Sequence, residues 1–159
     1  MNGEVFMGQQ NRDMADFFIQ LEKDISELYH FFAEIYPEDS EFWNQLVLEE
    51  NNHAALLEEY RRYVPRVFIG MSKTILMQTL EDIQKNFQKF RDFPPSPEEA
   101  LNFSYLIEKN AGEAHYQAQL EKKHLSKEFS VFQVLNFADR DHAKRINEYI
   151  SVRKDKIRE

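Results

Sequence analysis

The sequence predicts an all-α protein: a four-helix bundle of two antiparallel helix hairpins, joined by a long crossover that contains an extra helix. Three observations predict it. Gly and Pro are scarce, four and five in 159 residues, a helical composition low in turn residues. Apolar residues recur at three- and four-residue spacing along four long segments and one shorter one. Phe alone occupies 14 positions, so the predicted core is aromatic-rich. The length suits a single domain spanning residues 1–159.

The first helix is predicted from about Asp13 to Tyr36, through Phe17, Phe18, Leu21, Ile25, Leu28, Tyr29 and Phe32. Pro37-Glu38-Asp39-Ser40 ends it, and the side chain of Asp39 or Ser40 is expected to cap the next helix. That second helix runs from about Glu41 to Val64 and stops before Pro65, completing hairpin one over residues 13–64. Pro65 to Ser72 reads as irregular, and Lys73–Phe90 as an amphipathic helix inside the crossover, residues 65–96. Asp92-Phe93-Pro94-Pro95-Ser96-Pro97 marks a boundary, with Ser96 as N-cap and Pro97 at the first helical position. Hairpin two, residues 97–157, holds a third helix to about Lys123, a break near His124-Leu125-Ser126, and a fourth helix from about Lys127 to Lys156. The basic tail from Val152 to Glu159 reads as a solvated helix end. Two hairpins joined this way describe the ferritin-like arrangement of a four-helix bundle.

Charge and residue usage exclude several classes of function. The formal net charge is −8, with acidic residues spread along the chain, so no broad basic face for nucleic acid or an anionic membrane can be assembled. With no cysteine, disulfides, zinc–thiolate sites, iron–sulfur clusters and thiol nucleophiles are all excluded. No stretch approaches the ~20 apolar residues of a membrane span. Residues 1–6 show neither a basic start nor an apolar core, and the expected location is the cytoplasm.

The chemistry lies in an internal repeat. Glu50-Asn51-Asn52-His53-Ala54 on the second helix matches Asp139-Arg140-Asp141-His142-Ala143 on the fourth, each with a Tyr seven residues after the His, Tyr60 and Tyr149. Glu22 stands 28 residues before Glu50, and Glu108 stands 31 before Asp139. The acid-x-x-His spacing alone is a weak signal, because four of the five histidines have it. Position on the helix separates them. His30 and His124 lie among polar neighbours and are assigned to solvent, whereas His53, His142 and Glu22 interrupt apolar stripes. A lone buried carboxylate costs several kcal/mol, and four at one level would repel each other. Two divalent ions balance the four charges, and residues at i and i+3 face the same way. Glu22, Glu50, His53, Glu108, Asp139 and His142 therefore form a candidate set of four carboxylates and two histidines for a dinuclear metal site.

These residues resemble the rubrerythrin-like branch of the ferritin-like superfamily. The likeness covers about two-thirds of the chain and is closest in Glu22-x6-Tyr29-x3-Ala33, Glu50-x-x-His53-Ala54 and Glu108-x7-Tyr116. The resemblance implies two iron ions bridged by Glu50 and Asp139, with Glu22 and Glu108 as terminal ligands. It also implies that Tyr29 and Tyr116 hydrogen-bond to ligand carboxylates. The seven-residue spacing separately places Tyr29 on the face of Glu22. Asp139 stands where the family has Glu, and Ala111 where rubrerythrin has an extra Glu. The four-cysteine rubredoxin unit is missing, so electrons come from an external donor.

The function expected on these grounds is that of a non-haem di-iron oxidoreductase reducing peroxide or O2 in oxidative-stress defence. Manganese is the alternative metal, since carboxylate and imidazole suit both. Iron oxidation in the manner of ferritins, and a metal-free interaction or sensor module, are the competing readings. A homodimer is expected, with neither nucleic acid nor membrane as partner. Tyr60, Tyr149 and Trp43 read as packing residues, and His115 as a core histidine or hydrogen-bond partner rather than a seventh ligand. Gly112 leaves room for a small oxidant or for close helix packing. Glu27, Glu34, Glu49, Glu58, Glu59 and Glu113 are expected on solvated faces.

Overall fold

The computed structural model describes residues 13–64, 70–121 and 129–158, with side chains given from residue 131 in the last segment. Among them are five α-helices and no strand: α1 (Met14–Ile35), α2 (Ser40–Glu59), α3 (Met71–Asp92), α4 (Pro97–Glu121) and α5 (Phe129–Arg158). The readings of residues 1–6, of irregular chain through 65–69 and of the break and His124 within 122–128 lie outside the described residues. No described helix is long and apolar enough to cross a membrane.

Cross-helix contacts fix the directions. Glu22 faces His53 and Asp16 faces Arg61, so α1 and α2 are antiparallel. His115 faces Asp139 and Glu98 meets Lys154, so α4 and α5 are antiparallel too. Tyr29 on α1 reaches Glu108 on α4, and Phe42 on α2 stacks on Tyr149 of α5 at 4.1 Å. It follows that α2 and α4 run in the same direction. A short loop cannot join parallel helices, and α3 supplies the return. It runs antiparallel to α4, where Ser72 meets Glu121 and Phe90 meets Phe103. Phe31 and Phe32 of α1 cover its other side through Phe87 and Phe90.

The core is aromatic at one end. Trp43 packs against Tyr29, Phe32 and Phe42 with ring centroids 5.4, 5.0 and 5.3 Å apart, tilted or edge-on as aromatic quadrupoles prefer. Tyr36 donates its phenolic proton to the Pro95 carbonyl, tying the end of α1 to the start of α4. At α4, the Ser96 hydroxyl accepts from Glu99 N–H at 3.2 Å and the Glu99 carboxylate accepts from Ser96 N–H at 2.8 Å, a reciprocal cap.

Three local expectations are corrected. α2 ends at Glu59, before Val64, and tightens into a 3₁₀ turn over Arg61–Tyr63. Val64 is extended, as a residue preceding proline must be. Neither Asp39 nor Ser40 caps α2 through its side chain. Asp39 instead accepts from Tyr149 Oη at 2.5 Å and pairs with Arg153, so the basic tail of α5 is partly held against the bundle rather than wholly solvated.

Candidate metal centre

Each of the six candidate ligands projects from the inward stripe of a long helix, and the antiparallel registers bring all six to one level. Glu22, Glu50 and Glu108 are fully buried, Asp139 and His142 are 1 % exposed, and the His53 side chain is 12 % exposed. His53 Nδ1 lies 3.2 Å from Glu50 Oε2 and 3.4 Å from Glu22 Oε2. His142 Nδ1 lies 2.6 Å from Glu50 Oε1 and 3.4 Å from Glu108 Oε2. Glu50 thus turns one oxygen toward each imidazole. Asp139 falls within 4.8 Å of the donor atoms of Glu22 and His53, and equally of those of Glu108 and His142. The two imidazoles lie 5.3 Å apart with planes inclined by 21°.

Of these short separations, only His53 Nδ1 to Glu50 Oε2 is a hydrogen bond. Both oxygens of Glu22, Glu50 Oε1, Glu108 Oε2, Asp139 Oδ1, His142 Nδ1 and His115 Nε2 are buried without a hydrogen-bond partner. Buried polar atoms are nearly always satisfied, so such a convergence calls for another occupant. The donor atoms of the six candidates fall into three overlapping groups, Glu50–His53–His142, Glu22–His53–Asp139 and Glu108–Asp139–His142, each within 4.8 Å. Without an ion, protons must stand in. Burial, and then the Glu108 carboxylate, push Glu50 up to about 8. Burial also lifts Asp139 to about 7, against the opposing pull of His115. Burial depresses His53, but the adjacent Glu22 and Glu50 carboxylates more than reverse it, to about 10. The same contest at His142, won by Glu108 and Glu50, raises it to about 12. Glu22 is the exception, held well below the usual carboxylate range by His115 and His53 in spite of burial.

A layer of groups orients the donors. Tyr29 Oη donates to Glu108 Oε1 at 2.5 Å, leaving Oε2 turned inward. Burial and the Glu108 carboxylate raise this phenol well above its ordinary value, so it keeps the proton it donates. His142 Nε2 donates to Glu49 at 2.7 Å, which commits Nδ1 to the interior. Glu49 is in turn gripped by both Arg145 amino groups and by Gln45. Burial pushes the Glu49 carboxyl up, but Arg145, Gln45 and His142 hold it at about 2, an anion.

No family model, curated protein or solved structure matches the chain. Its own geometry therefore carries the functional argument.

Two assignments change. Tyr116 is exposed at the helix surface and makes no contact with a ligand carboxylate. It stands eight residues after Glu108, and the extra residue rotates it about 100° off the inward face. Glu49 is half-buried and bonded to His142 rather than solvated, while Glu27, Glu34, Glu58, Glu59 and Glu113 are exposed. His115 is, as read from the sequence, a core histidine that hydrogen-bonds to a candidate ligand, Asp139. It is fully buried between Glu22 and Asp139, seven residues after Glu108 as Tyr29 is seven after Glu22. The repeat contained that signal. Nothing in the sequence marked Glu49, because His142 and Arg145, which draw it into the bundle, come from α5.

A cleft of about 210 Å³ opens between α4 and α5 beside Glu108 and Asp139, with Gly112, Asn136 and Arg140 in its wall. A Cβ at Gly112 would sit 3.3 Å from Asp139 Cβ, and Asn136 donates to the Gly112 carbonyl at 2.8 Å. Close packing and an opening toward the donors thus meet at one glycine.

Proposed function

We propose that the chain is a ferritin-like, rubrerythrin-like redox protein holding two iron or manganese ions and reducing peroxide or O2 with electrons from an external donor. The observation that carries this reading is the set of buried, unpartnered carboxylate and imidazole atoms converging from α1, α2, α4 and α5. An all-oxygen and nitrogen donor set with no thiolate fits iron or manganese. Glu22 and His53 would hold one ion and Glu108 and His142 the other, with Glu50 and Asp139 shared. The parallel course of α2 and α4, with α3 between them, supports a ferritin-like connection.

Metal ions held by these residues would supply the redox chemistry. The chain does the rest. Tyr29 fixes Glu108, and Glu49 fixes the coordinating face of His142. Helix packing excludes bulk water from Glu22, Glu50 and Glu108, so charges there act at low dielectric. The cleft at Gly112 has room for an oxidant the size of peroxide and offers Arg140 and Asn136 at its wall.

The test is metal content of protein made under iron-replete conditions, beside Glu50→Ala and His142→Ala. About two ions per chain, lost in both variants, is the expected result, followed by peroxide consumption by the reduced protein. Metal-free wild type, with both variants folded as the parent, would overturn it.

A further inference from the structure

The two hairpins share a repeat but differ in what fills one place within it. Four residues after Glu22 stands Ser26, and four after Glu108 stands Gly112. Three residues before Glu50 stands Val47, and three before Asp139 stands Asn136. Between α1 and α2 that place is shut. Ser26 is buried there, and its hydroxyl donates to Asn51 Oδ1 at 2.9 Å and lies 3.4 Å from the Val47 carbonyl. Between α4 and α5 the bond between helices survives with its ends exchanged, Asn136 donating to the Gly112 carbonyl at 2.8 Å. The side chain that closes the first hairpin has no counterpart in the second.

The cleft of about 210 Å³ lies at that second place. One water needs only about 15 Å³ of such space, so a ligand of two or three heavy atoms fits. Of the six candidate ligands, Glu108 and Asp139 line the cleft, whereas Glu22, Glu50, His53 and His142 do not. Together Glu108 and Asp139 belong to the donor group that His142 completes. Lys109 and Arg140, both exposed, form part of the outer wall. A Cβ at Gly112 would stand 3.3 Å from Asp139 Cβ and 3.8 Å from Asn136 Nδ2, in the gap itself. One small side chain is enough to close it.

We propose that the α4–α5 cleft is the port by which a small ligand reaches the centre, that Gly112 keeps it open, and that it leads to the ion held by Glu108 and His142. This rests on the dinuclear reading above. Ser26 shuts the equivalent route, so access is one-sided although the repeat is two-fold. The port takes ligands of peroxide's size and turns away bulkier organic molecules.

Azide is the probe, mixed with the full chain after iron loading and oxidation, and followed by the absorption band it acquires on binding iron. The chain has no cysteine, so a single introduced thiol can be labelled alone. Lys109→Cys puts the label at the cleft, and Lys23→Cys puts it at the equivalent exposed place on α1. A bulky maleimide on the first should slow azide binding about tenfold or more, and on the second should leave it unchanged. Gly112→Ser, which copies the closed hairpin, should slow it likewise, with metal content kept at about two ions per chain. The labelled chains decide the matter where Gly112→Ser disturbs Asp139. An unchanged rate after labelling Lys109→Cys, or equal slowing from labelled Lys23→Cys, would overturn the port. So would a metal-loaded Gly112→Ser that binds azide as fast as wild type. Metal-loaded wild type that takes up no azide would overturn the port and leave the dinuclear centre standing. No bound iron in wild type would overturn both readings.

Discussion

Glu49 touches none of the interior space, yet it determines which nitrogen of His142 faces it. The carboxylate accepts from His142 Nε2 and is itself held by Arg145 and Gln45. Groups that orient a metal-binding histidine typically contribute ten- to hundredfold in affinity. Glu49→Gln keeps an acceptor but loses the charge, so about a tenfold weakening is expected; Glu49→Ala loses both and should approach a hundredfold. Both variants should still bind the full complement at saturation, since no donor atom is removed. Competition against a chelator of known affinity measures this, and unchanged affinity in both would show that packing alone orients His142. The same scale explains the misplacement of Tyr116: one residue along a helix changes an inward side chain into an outward one.

At the scale of the element, α4 brings Glu108, His115 and the close approach at Gly112 to the centre. Its N-terminus is held by the reciprocal cap between Ser96 and Glu99, with Pro97 at the first helical position. Ser96→Ala removes the acceptor for Glu99 N–H and should cost about 1 kcal/mol. For a chain of this length that is about 2–4 °C in Tm. Metal content should be untouched, because Glu108 lies three turns inside the helix. A scanning calorimeter checks the first statement and metal analysis the second; a lost ion would mean that the cap sets the register of α4. This cap was legible from Ser96-Pro97-Glu98-Glu99. The cap of α3 was not, for its first turn uses Glu121 from the far end of α4, bonded to Ser72 N at 3.1 Å and Ser72 Oγ at 2.7 Å.

For the whole molecule, the metal-free centre is a store of protons. Glu50 at about 8, Asp139 at about 7, His53 and His115 at about 10 and His142 at about 12 all hold protons that the unfolded chain releases at lower pH. The folded state then binds more protons, so its stability falls as pH rises through these values. Glu22 and Glu49 act oppositely, but their contribution is complete above the ordinary carboxyl range and is lost only in acid. The metal-free protein should therefore lose Tm steadily from about pH 6 to 9. Bound ions replace these protons, so metal affinity should rise with pH and the Tm decline should flatten. Free metal at a thousand times Kd adds about 4 kcal/mol, on the order of 10 °C. Unfolding scans at three pH values, with chelator and with metal, read all of this. A flat or rising Tm in chelator would contradict the proton count.

Composition and apolar spacing alone determined five helices, their approximate ends, and an aromatic core around Trp43. Those are local or periodic properties, written into neighbouring residues. The internal repeat also selected six ionisable residues that the fold then gathers at one level, because equal spacing within two hairpins places equivalent residues at equivalent heights. Only tertiary structure decided what surrounds them. Tyr29 serves Glu108 on another helix rather than Glu22 on its own, Glu49 finds its partners on α5, and His115 lies between carboxylates of α1 and α5. Such contacts depend on the rotation of one helix against another. A single chain's periodicity fixes which face of a helix is buried, but not which neighbour that face will meet.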